Sequence, residues 1–314
     1  MRDDHFTFNA DDGMGIFVYC WRPDVGIGKA AVHIAHGLAE HAGRYERLAE
    51  ALTSSGYIVY ANDHRGHGRT ARAAEDIGYF GDVDGWNCVV KDLGAMCSAE
   101  KEENGDLPLI LFGHSMGSLM TQQAIYEYPD LFDAAVMSGP NGTVSPLVHF
   151  GKAIAKFERL RLGQRGKSDL INRMSFDAFN KAFKPNRTAF DWLSRDEAEV
   201  DKYIADPLCG FMASIQLWVD LLAAITEIAK LENRAKIRRD LPLYLFSGMD
   251  DQVNEEGRGC AVLAESYRQI GLKNVSYKIY PRARHETLNE INRDEVTLHL
   301  IEWMDAVVTL FGKR

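Results

Sequence analysis

Five consecutive residues, Gly113-His114-Ser115-Met116-Gly117, set a serine hydroxyl between two glycines, directly after the apolar run LPLILF and before a helical pattern. At a tight strand-to-helix turn such a hydroxyl projects above the sheet edge, and side chains in place of the glycines would collide with the neighbouring strand and helix. The helix beginning there turns its positive end towards any negative charge that develops beside it. Ser115 is therefore the candidate nucleophile. Pentapeptides of the form G-x-S-x-G also arise by accident in loops, and the strand-helix context is what sets this one apart.

A serine hydroxyl attacks poorly at neutral pH without a base, and the base needs a carboxylate to orient it. In a strand-helix layout the chain order is Ser, then Asp or Glu, then His. The loop Ser247-Gly248-Met249-Asp250-Asp251-Gln252-Val253 follows the run LPLYLF and offers two neighbouring carboxylates for one role. The loop Pro281-Arg282-Ala283-Arg284-His285-Glu286 follows NVSYKIY and precedes the last helical pattern. Of the ten histidines only His285 is so placed; His299 falls within the final amphipathic pattern, and His5, His41 and His149 have no partner motif. His285 is the expected general base, taking the Ser115 proton and passing it to the leaving group. The oxyanion then needs backbone donors, one from the residue after the nucleophile and one from the loop after the third strand. Those positions are Met116 and Leu38, in the loop His36-Gly37-Leu38.

Such residues need a rigid frame. Runs rich in β-branched and aromatic residues at 5–9, 15–22, 30–36, 57–62, 108–113, 133–138, 242–247 and 274–280 predict eight strands. The first two half alternate, as an antiparallel hairpin does. The later ones are nearly continuous in apolar character, as strands covered by helices on both faces must be. Amphipathic stretches near 43–55, 85–103, 116–128, 255–270 and 294–311 alternate with them, giving an α/β fold. Roughly 100 residues separate the run ending near Gly139 from the next strand, too many for bare loop. Helical patterns at 150–162, 175–183 and 211–231 fill that interval, so an inserted helical cap is expected.

The segments His36-Gly37-Leu38-Ala39-Glu40-His41-Ala42-Gly43-Arg44-Tyr45, Asn62-Asp63-His64-Arg65-Gly66-His67-Gly68-Arg69-Thr70, Gly113-His114-Ser115-Met116-Gly117 and Asp206-Pro207-Leu208 resemble the signatures of the monoacylglycerol lipase and lysophospholipase branch of the α/β-hydrolases. The likeness spans nearly the whole chain and is weakest between residues 145 and 200. It implies an α/β-hydrolase fold: an eight-stranded, mostly parallel sheet with helices on both faces, a core of 1–140 and 241–314, and a helical cap of 141–240. It implies a serine esterase or lipase with an acyl-binding tunnel under that cap. The family's acid stands three residues after a glycine and two before a valine, which selects Asp251 over Asp250. The run Asp63-His64-Arg65-Gly66-His67-Gly68 reads in such proteins as a structural brace, leaving His64 and His67 outside catalysis. Ser118 stands where many relatives carry glycine, and the cap does not match residue by residue.

The stretch 211–231 carries more apolar side chains than one helix stripe needs, consistent with a lid lining an acyl pocket, although a packed core gives the same pattern. Phe211, Trp218 and Leu222 are the expected substrate contacts. A small-molecule acyl ester, monoacylglycerol or lysophospholipid, is the preferred substrate; a general carboxylesterase for short acyl or aryl esters is next, and peptidase activity is weaker, for want of an acidic clamp. A non-catalytic ligand-binding protein of this fold is the alternative from another class. The chemistry requires no metal and no cofactor.

Residues 150–175 hold seven basic side chains against Glu158 and Asp169. Such a stretch can meet anionic head groups, so transient membrane or micelle contact through the cap is entertained, although a solvated helix face is the plainer reading. The net charge of -9, from 36 Lys and Arg against 45 Asp and Glu, argues against nucleic acid as a partner. No run reaches the roughly 18 apolar residues of a spanning helix, and residues 1–10 lack a signal-like apolar stretch. Five cysteines without a C-x-x-C pattern suggest neither a disulfide framework nor a zinc site, so a reducing cytoplasm is expected.

Overall fold

Runs such as AAVHIA, YIVYAN and LILFGH carry apolar side chains on both of their alternating sides, so they are stable only between two helical layers. The computed structural model, which describes residues 1–311, gives them that setting. The described residues form one eight-stranded sheet in the order β1-β2-β4-β3-β5-β6-β7-β8. The strands are β1 (Arg2–Asn9), β2 (Gly15–Arg22), β3 (Ala30–Ala35), β4 (Tyr57–Asn62), β5 (Leu109–His114), β6 (Ala134–Ser138), β7 (Leu243–Gly248) and β8 (Val275–Tyr280). Strand β2 runs antiparallel to β1 and β4, and the pairs from β4 through β8 are parallel. This is the α/β-hydrolase fold. The expected core segment ends at 314, so its last three residues, 312–314, lie outside the described residues.

Helices α1 (Glu46–Ser54), α2 (Gly85–Asn104) and α3 (Met116–Glu127) follow the early strands. Between β6 and β7 come α4 (Pro146–Leu162), α5 (Asp169–Met174), α6 (Phe176–Asn180), α7 (Glu197–Ala205), α8 (Ile215–Ile228) and α9 (Leu231–Arg234). Helices α10 (Arg258–Gln269) and α11 (Arg293–Phe311) complete the chain. Alternation along β5 divides the core: Leu109 and Leu111 pack with α2, α3 and α10, whereas Ile110 and Phe112 pack with α1 and α11. Among the described residues no helix is long and apolar enough to cross a membrane.

Two sequence readings need adjustment. Strand β1 starts at Arg2 rather than residue 5, since it is an edge strand whose mostly exposed side chains carry little apolar pattern. The predicted 211–231 helix is α8 alone; Ser214 caps it by accepting the Leu217 amide, so residues 211–213 stay outside it. That helix is apolar on two sides for a reason. Leu217, Leu221, Ala224 and Ile228 join the sheet core, while Ile215, Trp218, Val219 and Leu222 pack towards α4 and α5.

Register brings the working ends level. Ala35 pairs with Gly113, His114 with Ser138, Ser138 with Phe246 and Gly248 with Tyr280, so the carboxyl ends of β3, β5, β6, β7 and β8 share one edge. Ligands bind outside that edge in open α/β sheets.

Candidate active site

Strand β5 ends at His114 and α3 begins at Met116, leaving Ser115 alone to turn the chain. It does so at φ 52° and ψ −114°, a left-handed conformation that costs a non-glycine residue about 1–3 kcal/mol and that the flanking packing must impose. The packing is close enough to explain both glycines. A Cβ on Gly117 would lie 2.0 Å from the Ala35 carbonyl oxygen, and one on Gly113 would lie 2.2 Å from Thr121 Oγ1. The Ser115 amide donates to the Ser138 carbonyl at 2.9 Å, tying the turn to the tip of β6.

The turn after β7 carries the two competing acids, and the structure separates them. Asp251 is fully buried; its Oδ2 accepts from His285 Nδ1 at 2.9 Å and from Ser247 Oγ at 3.1 Å, and its Oδ1 accepts the Val253 amide at 2.9 Å. Asp250 is half-buried, and among the described residues the carboxylate that His285 bonds is that of Asp251. With Nδ1 committed to Asp251, the other imidazole nitrogen, Nε2, is left to act. Burial disfavours the imidazolium, yet the Asp251 carboxylate outweighs it and raises the His285 pKa above the usual histidine value.

His285 lies beside the tips of β5 and β6, the strand ends that flank Ser115. A Cβ on Gly139, directly after Ser138, would lie 3.0 Å from His285 Cε1 and 3.5 Å from Asp251 Oδ2. The His114 ring, one residue before the serine, lies 4.9 Å from the His285 ring. Burial and the adjacent His285 push the His114 pKa down to about 4, so it stays neutral there. From the insertion, Trp192 packs its ring 5.3 Å from His285, and the Glu286 amide donates to the Leu193 carbonyl at 2.8 Å. Neither Gly139 nor Trp192 has a motif around it; for Gly139 its place at the end of β6 is the one available signal.

Gly37 approaches the serine so closely that a Cβ there would sit 3.4 Å from Ser115 Cβ. Among the described residues neither the Leu38 nor the Met116 amide has an acceptor. Glu40 holds this loop by accepting the Gly37 amide at 2.6 Å and the Tyr45 hydroxyl at 2.9 Å. Arg44 then bridges Glu40 (2.5 Å) to both oxygens of Glu286 (2.7 Å each), coupling the loop to the histidine segment. The Asp63-to-Gly68 run is itself a brace: Asp63 accepts the Ala42 and Arg69 amides, and Arg65 pairs with Asp12 and Asp92.

A cavity of about 360 Å³ opens over Ser115. Leu38 and Met116 line its floor, and Trp218, Leu221, Leu222 and Phe179 form apolar walls, with Asn141, Thr143 and Glu255 as a polar patch. Phe211 is not among the lining residues; its ring meets His67 edge-on at 5.2 Å, because residues 211–213 run across the brace before α8 begins. So of the three expected substrate contacts, Trp218 and Leu222 face the cavity and Phe211 lies elsewhere.

The family model described as serine aminopeptidase, S33, matches residues 27–292. The chain belongs to this family. The chain is 28% identical over 290 residues to a monoglyceride lipase of Mus musculus, covering 90% of this chain and 86% of that protein. It is 28% identical over 310 residues to a monoacylglycerol lipase of Mycolicibacterium smegmatis, with 96% and 97% covered. A thermostable carboxyl esterase from Bacillus coagulans superposes with a TM-score of 0.89 at 25% identity, covering 98% of this chain and 99% of that one. This member of the family is an ester-hydrolysing enzyme.

Proposed function

We propose that the protein hydrolyses carboxylic esters through Ser115, His285 and Asp251, by way of an acyl-enzyme. Ser115 Oγ attacks the ester carbonyl as His285 Nε2 takes its proton; the tetrahedral oxyanion sits between the Leu38 and Met116 amides; His285 then returns the proton to the departing alcohol. Water repeats the sequence on the acyl-enzyme and releases the acid. Asp251 keeps the imidazole in its working tautomer. The observation carrying this reading is the His285 Nδ1 to Asp251 Oδ2 bond of 2.9 Å beside Gly139, at the strand tip next to the strained Ser115.

We assign the substrate as a single-chain acyl ester, monoacylglycerol or lysophospholipid. Residues 141–240 serve as a cap over the sheet core, and the apolar walls from Trp218 and Leu222 suit one hydrocarbon chain. The cap also presents Leu147, Phe150, Phe157 and Leu160 to solvent, which favours transient contact with a lipid surface. The buried free thiols of Cys20, Cys97 and Cys260 suit a reducing, cytoplasmic setting.

A hydrolysis panel crossing acyl length with glycerol, phosphocholine and p-nitrophenyl leaving groups tests the substrate, with intact-mass labelling by a fluorophosphonate alongside. Labelling that disappears in Ser115→Ala together with preference for a long-chain glyceryl or phosphocholine ester is the expected result. Preference for short aryl esters points to a general carboxylesterase, and the absence of any adduct on the unaltered protein points to a non-catalytic binder.

A further inference from the structure

We propose that a buried, one-way chain of hydrogen bonds from α2 fixes the direction of the Gly37–Leu38 peptide, making His36 and His64 positioning residues for ester hydrolysis. The inference rests on Leu38 being an oxyanion donor.

The proton positions follow one from another. The His64 backbone amide can only donate, and it meets His36 Nε2 at 3.0 Å. That nitrogen therefore carries a lone pair, so Nδ1 carries the proton and donates to the Gly37 carbonyl at 2.7 Å. The His36 carbonyl can only accept, so His64 Nε2, 3.2 Å away, carries a proton. His64 Nδ1 is then the acceptor for Asn62 Nδ2 at 3.2 Å. Asn62 must in turn present Oδ1 to His33 Nε2, which donates at 3.0 Å, while His33 Nδ1 meets Glu100 Oε1 at 2.8 Å. Reversing the Asn62 amide would force a proton onto His64 Nδ1 and set a lone pair against the His36 carbonyl.

Every member of this chain is buried, so water does not compete for the bonds. Burial, with the neighbouring imidazoles, holds His36 and His64 well below the usual histidine pKa and therefore neutral. At His33 burial acts the same way, but Cys97 and Glu100 outweigh it and raise its pKa well above the usual histidine value.

The consequence for chemistry is geometric. In a trans peptide the C=O and the next N–H point in opposite directions. With the Gly37 oxygen held against His36, the Leu38 N–H is turned the other way, and Leu38 shares the cavity floor with Ser115. The preceding peptide is pinned at both ends as well, by His64 on the His36 oxygen and by Glu40 on the Gly37 amide.

Substitution at His36 tests this. Asparagine carries an N–H where the imidazole has Nδ1–H, whereas leucine carries none. His36→Leu is expected to lower kcat by roughly 100-fold, the scale for losing one oxyanion donor, with KM changed less than about threefold. Affinity for an alkyl boronate, which forms the tetrahedral anion, should fall in parallel, and His36→Asn should recover most of both. Asn62→Leu acts at a distance and should lower kcat by about three- to tenfold. Ring ¹H–¹⁵N spectra of the unaltered enzyme should show His36 as the Nδ1–H tautomer and His64 as the Nε2–H tautomer. The opposite tautomers, an unchanged kcat in His36→Leu, or an equal loss in His36→Asn would overturn the proposal. If the unaltered protein hydrolyses no ester while the tautomers are as stated, the hydrolase reading fails and the hydrogen-bond chain stands.

Discussion

An imidazole with one nitrogen bonded to a buried carboxylate is a base whose strength that carboxylate sets. In the proposed mechanism His285 must be neutral to accept the serine proton, so kcat/KM should rise with pH through its pKa, which burial lowers and Asp251 raises to a net value above the usual one. Asp251→Asn removes the raising partner. The acid limb should therefore move to lower pH, while the plateau falls by about 10⁴-fold as the tautomer is lost. Asp250→Asn should leave the limb in place; pH profiles with a p-nitrophenyl ester compare the two, and a limb that moves with Asp250 instead would transfer the role. Ser115 and His285 stand out as candidates in sequence because their motif and turn context are local. Choosing Asp251 over Asp250 needed the family pattern, since adjacent carboxylates differ only in which way the turn faces them. The contacts of His33 with Glu100, and of Arg44 with Glu286, were hidden: they join residues 67 and 242 positions apart, and no spacing rule reaches so far.

Among the elements, α8 makes a sharp test because its two sides do different things. Leu217 is fully buried against the sheet core, so Leu217→Ala should destabilise the fold by about 2–5 kcal/mol in denaturant titrations. Trp218 and Leu222 face the cavity, so Trp218→Ala or Leu222→Ala should shift acyl-length preference more than the turnover of an acetyl ester. An unchanged length profile would leave both as packing residues. The parallel strands were legible because burial on both faces demands continuous apolar runs. Helix α7 was not: only Val200 and Tyr203 are buried along it, and its signal lies in the Asp196 cap, which accepts the Ala198 and Glu199 amides, rather than in periodicity. Phe211 lies off the cavity lining because the apolar run read as one helix enters α8 only at Ile215.

At the scale of the whole molecule, the charge balance conceals an asymmetry. The net charge is -9, yet α4 and the segment after it expose Lys156, Arg161, Arg165 and Lys167 beside Phe150, Phe157 and Leu160. A segment that exposes both apolar and basic side chains suits an anionic lipid surface. Replacing Phe150 and Phe157 together by serine should reduce co-sedimentation with phosphatidylglycerol vesicles several-fold, and raising the salt should weaken the binding of the unaltered protein; equal sedimentation of both proteins would make this an ordinary solvated face.

The double duty of α8 bears on how such a protein can change. A helix that fills the sheet core on one side and shapes the cavity over Ser115 on the other cannot be exchanged wholesale without unsettling the scaffold. Residues 146–180 carry no such obligation to the sheet core, which makes them the natural place to graft segments from other members when a new chain-length range is wanted.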